Sequence, residues 1–170
     1  IYKKLLANKL KMQEKKKIAV IGLGYVGLPL CIAFSKYFET IGFDINYQRV
    51  KSLNKKIDYN NDYSKKDLKL KNKAKITNKL SQIKNCNFYI ICVPTPIKKN
   101  NKPDFSATIS ASKNIASILN KNDIVVYEST VYPGATEELF VPILEKHSNL
   151  IANKDFYCGY SPERINPGDK

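Results

Sequence analysis

Gly22-Leu23-Gly24-Tyr25-Val26-Gly27 decides how the rest of the chain is read. It follows Ile18-Ala19-Val20-Ile21, a short apolar run of strand length, and leads into Leu28-Pro29-Leu30-Cys31-Ile32-Ala33-Phe34, an apolar helical stretch starting near Tyr25. Three of the seven glycines of the chain fall in these six positions. In a G-x-G-x-x-G turn between strand and helix, the first glycine permits the tight turn and the second lets a pyrophosphate approach the backbone. The third lets the helix press against the strand. The first N–H groups of the helix lack intrahelical partners and, with the helix dipole, favour an anion. Pro29 is tolerated because the first turn has no use for the N–H that it lacks.

Working outward, Thr40-Ile41-Gly42-Phe43-Asp44 is a second strand, and Asp44 stands 22 residues after Gly22. A carboxylate at that strand end accepts hydrogen bonds from adenosine ribose hydroxyls and repels a 2′-phosphate, which favours NAD over NADP. The bland reading is an Asp that starts a turn. Asn46 is placed to cap a helix through Gln48, Val50 and Leu53. Arg49 on that helix either covers the adenine side or is a solvated helix residue.

Residues 54–75 are polar, Lys- and Asn-rich and weakly periodic, predicting a surface loop with a short helix from Ser64 to Lys71 and a brief edge strand at Lys75-Ile76-Thr77. Phe88 to Val93 is a buried strand stopped by Pro94. Asp104 is placed to cap a helix through Ile109, Ile115, Ile118 and Leu119. Ile124 to Glu128 is the next strand, broken at Pro133-Gly134; a helix follows from about Ala135 to Lys146, and Phe156 to Tyr160 is the last strand. Strands alternating with helices, apolar on both faces, predict an α/β doubly wound Rossmann fold. Its sheet is mainly parallel, of about six strands, with helices on both faces.

Three polar clusters fall at three carboxyl strand ends: Val93-Pro94-Thr95-Pro96, Glu128-Ser129-Thr130 and Ser161-Pro162-Glu163-Arg164. Each alone is turn chemistry; together they outline one crevice. The single histidine, His147, sits near a helix C-terminus, where a dipole contact accounts for it better than catalysis.

Composition bounds the remaining classes. A chain of 170 residues fits one domain on a scale of about 150 residues each. No apolar run reaches the ~18–20 residues that cross a bilayer, and residues 1–17 form a basic arm without a signal-peptide core. The formal charge of +14 comes mostly from scattered Lys, with no nucleic-acid-binding motif beside it, so a general attraction for anionic substrates is the safer inference. Cys31, Cys86, Cys92 and Cys158 show no CxxC and no zinc spacing; they read as small buried hydrophobes in a reducing cytoplasm. No metal site is expected. The first residue, Ile1, and the loop-like Pro167-Gly168-Asp169-Lys170 are expected to mark a piece of a longer chain.

GLGYVGLPL, GFDIN, VPTP, STVYPG and SPERINPGDK resemble, in order and spacing, the UDP-glucose/GDP-mannose dehydrogenase family, whose NAD-binding domain residues 18–170 would form. The closing SPERINPGD resembles the branch acting on UDP-N-acetylhexosamines. The resemblance implies oxidation of a sugar C6 alcohol to a carboxylate in two hydride transfers to NAD, through a cysteine-bound thiohemiacetal and thioester, for surface polysaccharide. It implies a cofactor-binding set of Gly22, Gly24, Tyr25, Val26, Gly27, Asp44, Ile45, Arg49, Val93, Pro94, Thr95, Ser129 and Thr130, with Asp44 and Arg49 on the adenosine ribose. Thr130 matches the threonine that holds a catalytic water, and Glu163 the glutamate assisting thioester hydrolysis. UDP-glucose enzymes carry a second glutamate four residues after that one, where this chain has Pro167, which argues against UDP-glucose as substrate. The family's nucleophilic cysteine, lysine and asparagine fall beyond Lys170, so residues 1–170 alone are expected to be inactive; the UDP-sugar and a homo-oligomer partner belong to the longer protein. A UDP-glucose 6-dehydrogenase and a non-catalytic dinucleotide-binding module are the alternatives, the latter having no reason to keep Thr130 and Glu163.

Overall fold

The computed structural model describes residues 16–60, 63–70 and 74–162. Six parallel strands make one sheet among them: β1 (Lys17–Ile21), β2 (Glu39–Phe43), β3 (Lys75–Thr77), β4 (Phe88–Ile91), β5 (Ile124–Tyr127) and β6 (Tyr157–Tyr160). Their order is β3-β2-β1-β4-β5-β6. The chain runs outward from β1 to one edge, then crosses to β4 and runs to the other. The order reverses between β1 and β4, and in such sheets a crevice opens there, at the carboxyl strand ends.

Alternation along the strands builds two cores. Ala19, Ile21, Tyr89, Ile91, Val125 and Tyr127 pack on one face with Ala111 and Ile115 of α3 (Ser106–Ala116) and Leu144 of α4 (Val141–Ser148). Ile18, Val20, Ile90 and Cys92 pack on the other with Leu28 and Cys31 of α1 (Gly27–Phe34) and Leu53 of α2 (Tyr47–Asn54). Strand residues of one parity thus serve one pair of helices and their neighbours the other pair, which is why β4, β5 and β1 after Lys17 are apolar without interruption. Polar atoms inside are partnered where the aromatics need it: the Tyr89 hydroxyl donates to the Cys86 carbonyl (2.8 Å), and the hydroxyls of Tyr127 and Ser112 share a bond of 2.7 Å.

Several local expectations shift. α1 begins at Gly27, with Tyr25 and Val26 in the turn before it. Between Ser64 and Leu70 there is one turn and no helix; the hydroxyl of Ser64 donates to Asp67 (2.5 Å), but only Leu68 is buried, so no apolar stripe extends the turn. Lys71 and residues 1–15 of the basic arm lie outside the described residues. Asp104 accepts from the Ser106 N–H (3.0 Å) one residue ahead of the α3 N-cap, Phe105, and α3 ends at Ala116, short of Ile118. The stretch from Ala135 opens as a π-helical turn, Thr136–Phe140, before α4. Pro142 accounts for it, since it has no N–H to donate and its ring crowds the carbonyl four residues back.

Candidate dinucleotide site

The site is built from the β1–α1 turn. Gly22 has φ +88°, a left-handed conformation that a side chain would strain, and its N–H donates to the Phe43 carbonyl at the end of β2 (2.8 Å). Gly27 is held tight: a Cβ there would lie 1.8 Å from the Gly22 carbonyl oxygen. Gly24 is the opposite case, with no heavy atom within 4 Å of where its Cβ would be, and it borders the crevice. The three glycines therefore divide the work as a phosphate-cradling turn requires. One turns the chain, one leaves open space at the backbone, and one seats the helix.

Asp44, at the end of β2, is oriented by two backbone donors. The N–H of Leu23 donates to its Oδ2 and the N–H of Asn46 to its Oδ1, each at 2.8 Å. Asp44 thus serves the turn, and each of its oxygens keeps further acceptor capacity after one bond. Asn46 caps α2, accepting from Gln48 N–H and Arg49 N–H as expected.

Across the switch point, the ladder runs past the ends of β4 and β5: the Cys92 N–H donates to the Ile21 carbonyl (2.7 Å) and the Glu128 N–H to the Ile91 carbonyl (2.9 Å). Beyond them, Ser129 is buried and donates its hydroxyl to the Val93 carbonyl (2.9 Å), and Thr95 donates to the Thr130 carbonyl (2.8 Å).

These parts enclose a crevice of about 450 Å³. Of the expected set, Gly22, Gly24, Tyr25, Val26, Asp44, Ile45, Val93, Pro94, Thr95, Ser129 and Thr130 line it. Gly27 supports it from behind. Arg49 is not among the lining residues: its Nε donates to the Leu23 carbonyl (2.9 Å) and its Nη1 to Asp58 (2.6 Å). Glu163 lies outside the described residues, and of its cluster Ser161 and Pro162 are described but do not line the crevice. His147 is exposed in the last turn of α4, away from the crevice lining.

One wall escaped the sequence reading. Ala107, Ser110, Ala111, Asn114 and Ile115 of α3 line the crevice. Their spacing is one helix face, and the small and polar members on it are the signal that would have found them.

None of the four cysteines is in a disulfide, and Cys31, Cys86 and Cys92 are buried. Desolvation pushes the Cys31, Cys86 and Cys158 thiols up to about 12, so at neutral pH they are protonated and poor nucleophiles. Among the described residues, no group of His, Cys, Asp and Glu is arranged to hold a metal ion, and no helix is long and apolar enough to cross a membrane.

The chain is 52% identical over 157 residues to the UDP-N-acetyl-D-glucosamine 6-dehydrogenase of Salmonella typhi, covering 92% of this chain and 37% of that protein. It is 52% identical over 155 residues to Protein CapL of Staphylococcus aureus, covering 91% and 36% respectively. Among solved structures it superposes on the UDP-D-ManNAc dehydrogenase of Pyrococcus horikoshii with a TM-score of 0.82 at 34% identity, covering 89% of this chain and 37% of that one. The chain thus spans little more than a third of these relatives. Residues 16–170 match the UDP-glucose/GDP-mannose dehydrogenase family, NAD binding domain, and with a glycine turn, an acid at the end of β2 and a switch-point crevice in place, the chain belongs to that family as its NAD-binding domain.

Proposed function

We propose that the chain is the NAD-binding part of a UDP-N-acetylhexosamine 6-dehydrogenase that oxidises the sugar C6 alcohol to the uronic acid, in the cytoplasm, for surface polysaccharide. The observation that carries the cofactor half is the pairing of Gly24, open beside the crevice, with Asp44, fixed next to it by the Leu23 N–H. Gly24 and the N–H groups opening α1 would hold the pyrophosphate, and Asp44 would accept from the adenosine ribose hydroxyls. Ile45 and Val26 would give it apolar surface, and Val93, Pro94, Thr95 and Ser129 would hold the nicotinamide end. When bound, NAD supplies the hydride acceptor.

The protein's own groups do the rest. Thr130, at the exposed carboxyl end of β5, holds a water for hydrolysis of the acyl intermediate, and Glu163 assists its attack. The resemblance to the family places the cysteine that carries that intermediate beyond residue 170, and the thiols of Cys31, Cys86 and Cys158, raised by desolvation, are in keeping with this. The sugar half rests on the activity for which the Salmonella typhi relative is named and on Pro167 in place of a glutamate.

Titration calorimetry with NAD+ and NADP+ tests the cofactor half. NAD+ binds more tightly, and Asp44→Ala weakens NAD+ by about 10- to 100-fold, the scale of a hydrogen bond to a charged group, while narrowing the gap to NADP+. Equal affinities in the unsubstituted protein overturn the role of Asp44. NADH formation is then followed with UDP-N-acetylglucosamine, UDP-N-acetylgalactosamine and UDP-glucose, using the chain extended to the length of its relatives. Turnover is expected with an N-acetyl sugar; turnover with UDP-glucose alone overturns the sugar assignment. In that protein, Thr130→Ala and Glu163→Gln lower kcat by about 10²–10⁴-fold with little change in NAD+ affinity.

A further inference from the structure

Toward Asp44 the crevice has an apolar wall with a single amide beside it. Ile21 and Phe43, the last residues of β1 and β2, line it there, together with Ala111 and Ile115 of α3. All four belong to the core that α3 shares with the sheet, so the wall is fixed from behind. Asn114 precedes Ile115 and lies one turn beyond Ser110 and Ala111 on the same lining face. It is the only side-chain amide among the lining residues. It is half-buried, and its amide makes no hydrogen bond among the described residues, whereas its backbone carbonyl accepts from the Ser117 hydroxyl (2.7 Å). Asparagine is a weak helix former, because its amide competes for backbone groups in other conformations, and here it stands inside α3 without such a bond. Local structure does not account for its presence.

We propose that Asn114 selects the base of the dinucleotide, its amide oxygen accepting from the 6-amino group of adenine and its N–H donating to N7. The proposal rests on the dinucleotide reading of the crevice and deepens it. With Asp44 on the ribose, the wall of Ile21, Phe43 and Ile115 is the apolar surface next to the base. An apolar wall takes any purine; a polar group placed at the edge of the ring is what tells one purine from another. An amide matches the amino group and N7 of adenine with one acceptor and one donor. A 6-oxo purine presents two acceptors on that edge, so half of the pair is lost whichever way the amide is turned.

The experiment is calorimetric titration with NAD+ and with nicotinamide hypoxanthine dinucleotide, in which an oxo group replaces the 6-amino group. The unsubstituted protein is compared with Asn114→Leu, Asn114→Asp and Asp44→Ala, and the melting temperature of each is followed by circular dichroism. The unsubstituted protein is expected to prefer NAD+ by about 3- to 10-fold, the scale of one net hydrogen bond. Asn114→Leu removes donor and acceptor, weakens NAD+ by a similar factor and brings the two dinucleotides level. Its melting temperature does not fall, since leucine is the better helix former. Asn114→Asp keeps the acceptor alone, so it binds both dinucleotides more weakly yet still prefers NAD+. Asp44→Ala weakens both by the same factor and leaves the preference intact. Equal affinity for the two dinucleotides in the unsubstituted protein, or a preference that survives in Asn114→Leu, overturns the proposal and leaves the dinucleotide reading standing. A preference lost equally in Asp44→Ala overturns it as well, because the ratio then follows overall affinity rather than Asn114. Absence of NAD+ binding in the unsubstituted protein removes the dinucleotide reading itself, and this proposal with it.

Discussion

The hydroxyl of Thr95 donates to the carbonyl of Thr130 at 2.8 Å, tying the loop that leaves β4 to the loop that leaves β5. Ser129 makes a second tie in the opposite direction, from the β5 end to the Val93 carbonyl at 2.9 Å. Both loops line the crevice, so the two hydroxyls set the spacing of its far wall.

Thr95→Val keeps the shape of the side chain and removes its donor. The expected loss is about 1 kcal/mol, the net worth of one such bond, and a fall of roughly 2–4 °C in melting temperature for a domain of this size. NAD+ affinity falls further than that stability loss explains, because the loop that leaves β5 is no longer held against the loop that leaves β4 and the crevice wall shifts. Differential scanning calorimetry and NAD+ titration on the same sample check this, and an unchanged NAD+ affinity excludes a role for the tie in shaping the site.

The glycines separate folding from binding. A side chain at Gly24 meets open space, so Gly24→Val folds with an unchanged circular dichroism spectrum and melting temperature but does not bind NAD+. Gly27→Ala forces a methyl group against the Gly22 carbonyl oxygen, which lies 1.8 Å from the Cβ position, so α1 must move off β1 and the domain is destabilised before any ligand is added. Melting curves with and without NAD+ distinguish the two. A Gly24→Val protein that binds NAD+ normally contradicts the pyrophosphate cradle.

The thiols carry a pH dependence whose sign follows from burial. Cys31 and Cys86 are raised by desolvation from 9.0 to about 12, so above pH 9 the unfolded chain loses protons that the folded chain retains. Their contribution to stability is complete below pH 9 and is lost as pH rises from 9 toward 12, at roughly 1.4 kcal/mol per pH unit for each fully buried thiol. Urea unfolding at pH 8, 9.5 and 11 follows this fall, and Cys31→Ala makes it shallower. A thiol-reactive dye at pH 8 leaves Cys31 and Cys86 unmodified until urea is added; rapid labelling of the folded protein contradicts their burial.

Residues 18–34 show what the sequence determined by itself. A four-residue apolar run, three glycines at fixed offsets and an apolar helical stretch specify backbone conformations and a buried strand, and these depend on neighbours a few positions away. Asp44 and the Asn46 cap were legible for the same reason. The destination of Arg49 was not: its partners are Leu23, 26 positions back, and Asp58, nine positions ahead in a lysine-rich loop without periodicity. The α3 wall of the crevice was equally hidden, because Ala107, Ser110 and Asn114 become a site only when β4 pairs with β1 and brings that helix across from Asp44. Local spacing sets conformation and burial, whereas side-chain partners and a shared crevice depend on which strands lie side by side, and only the folded sheet decides that.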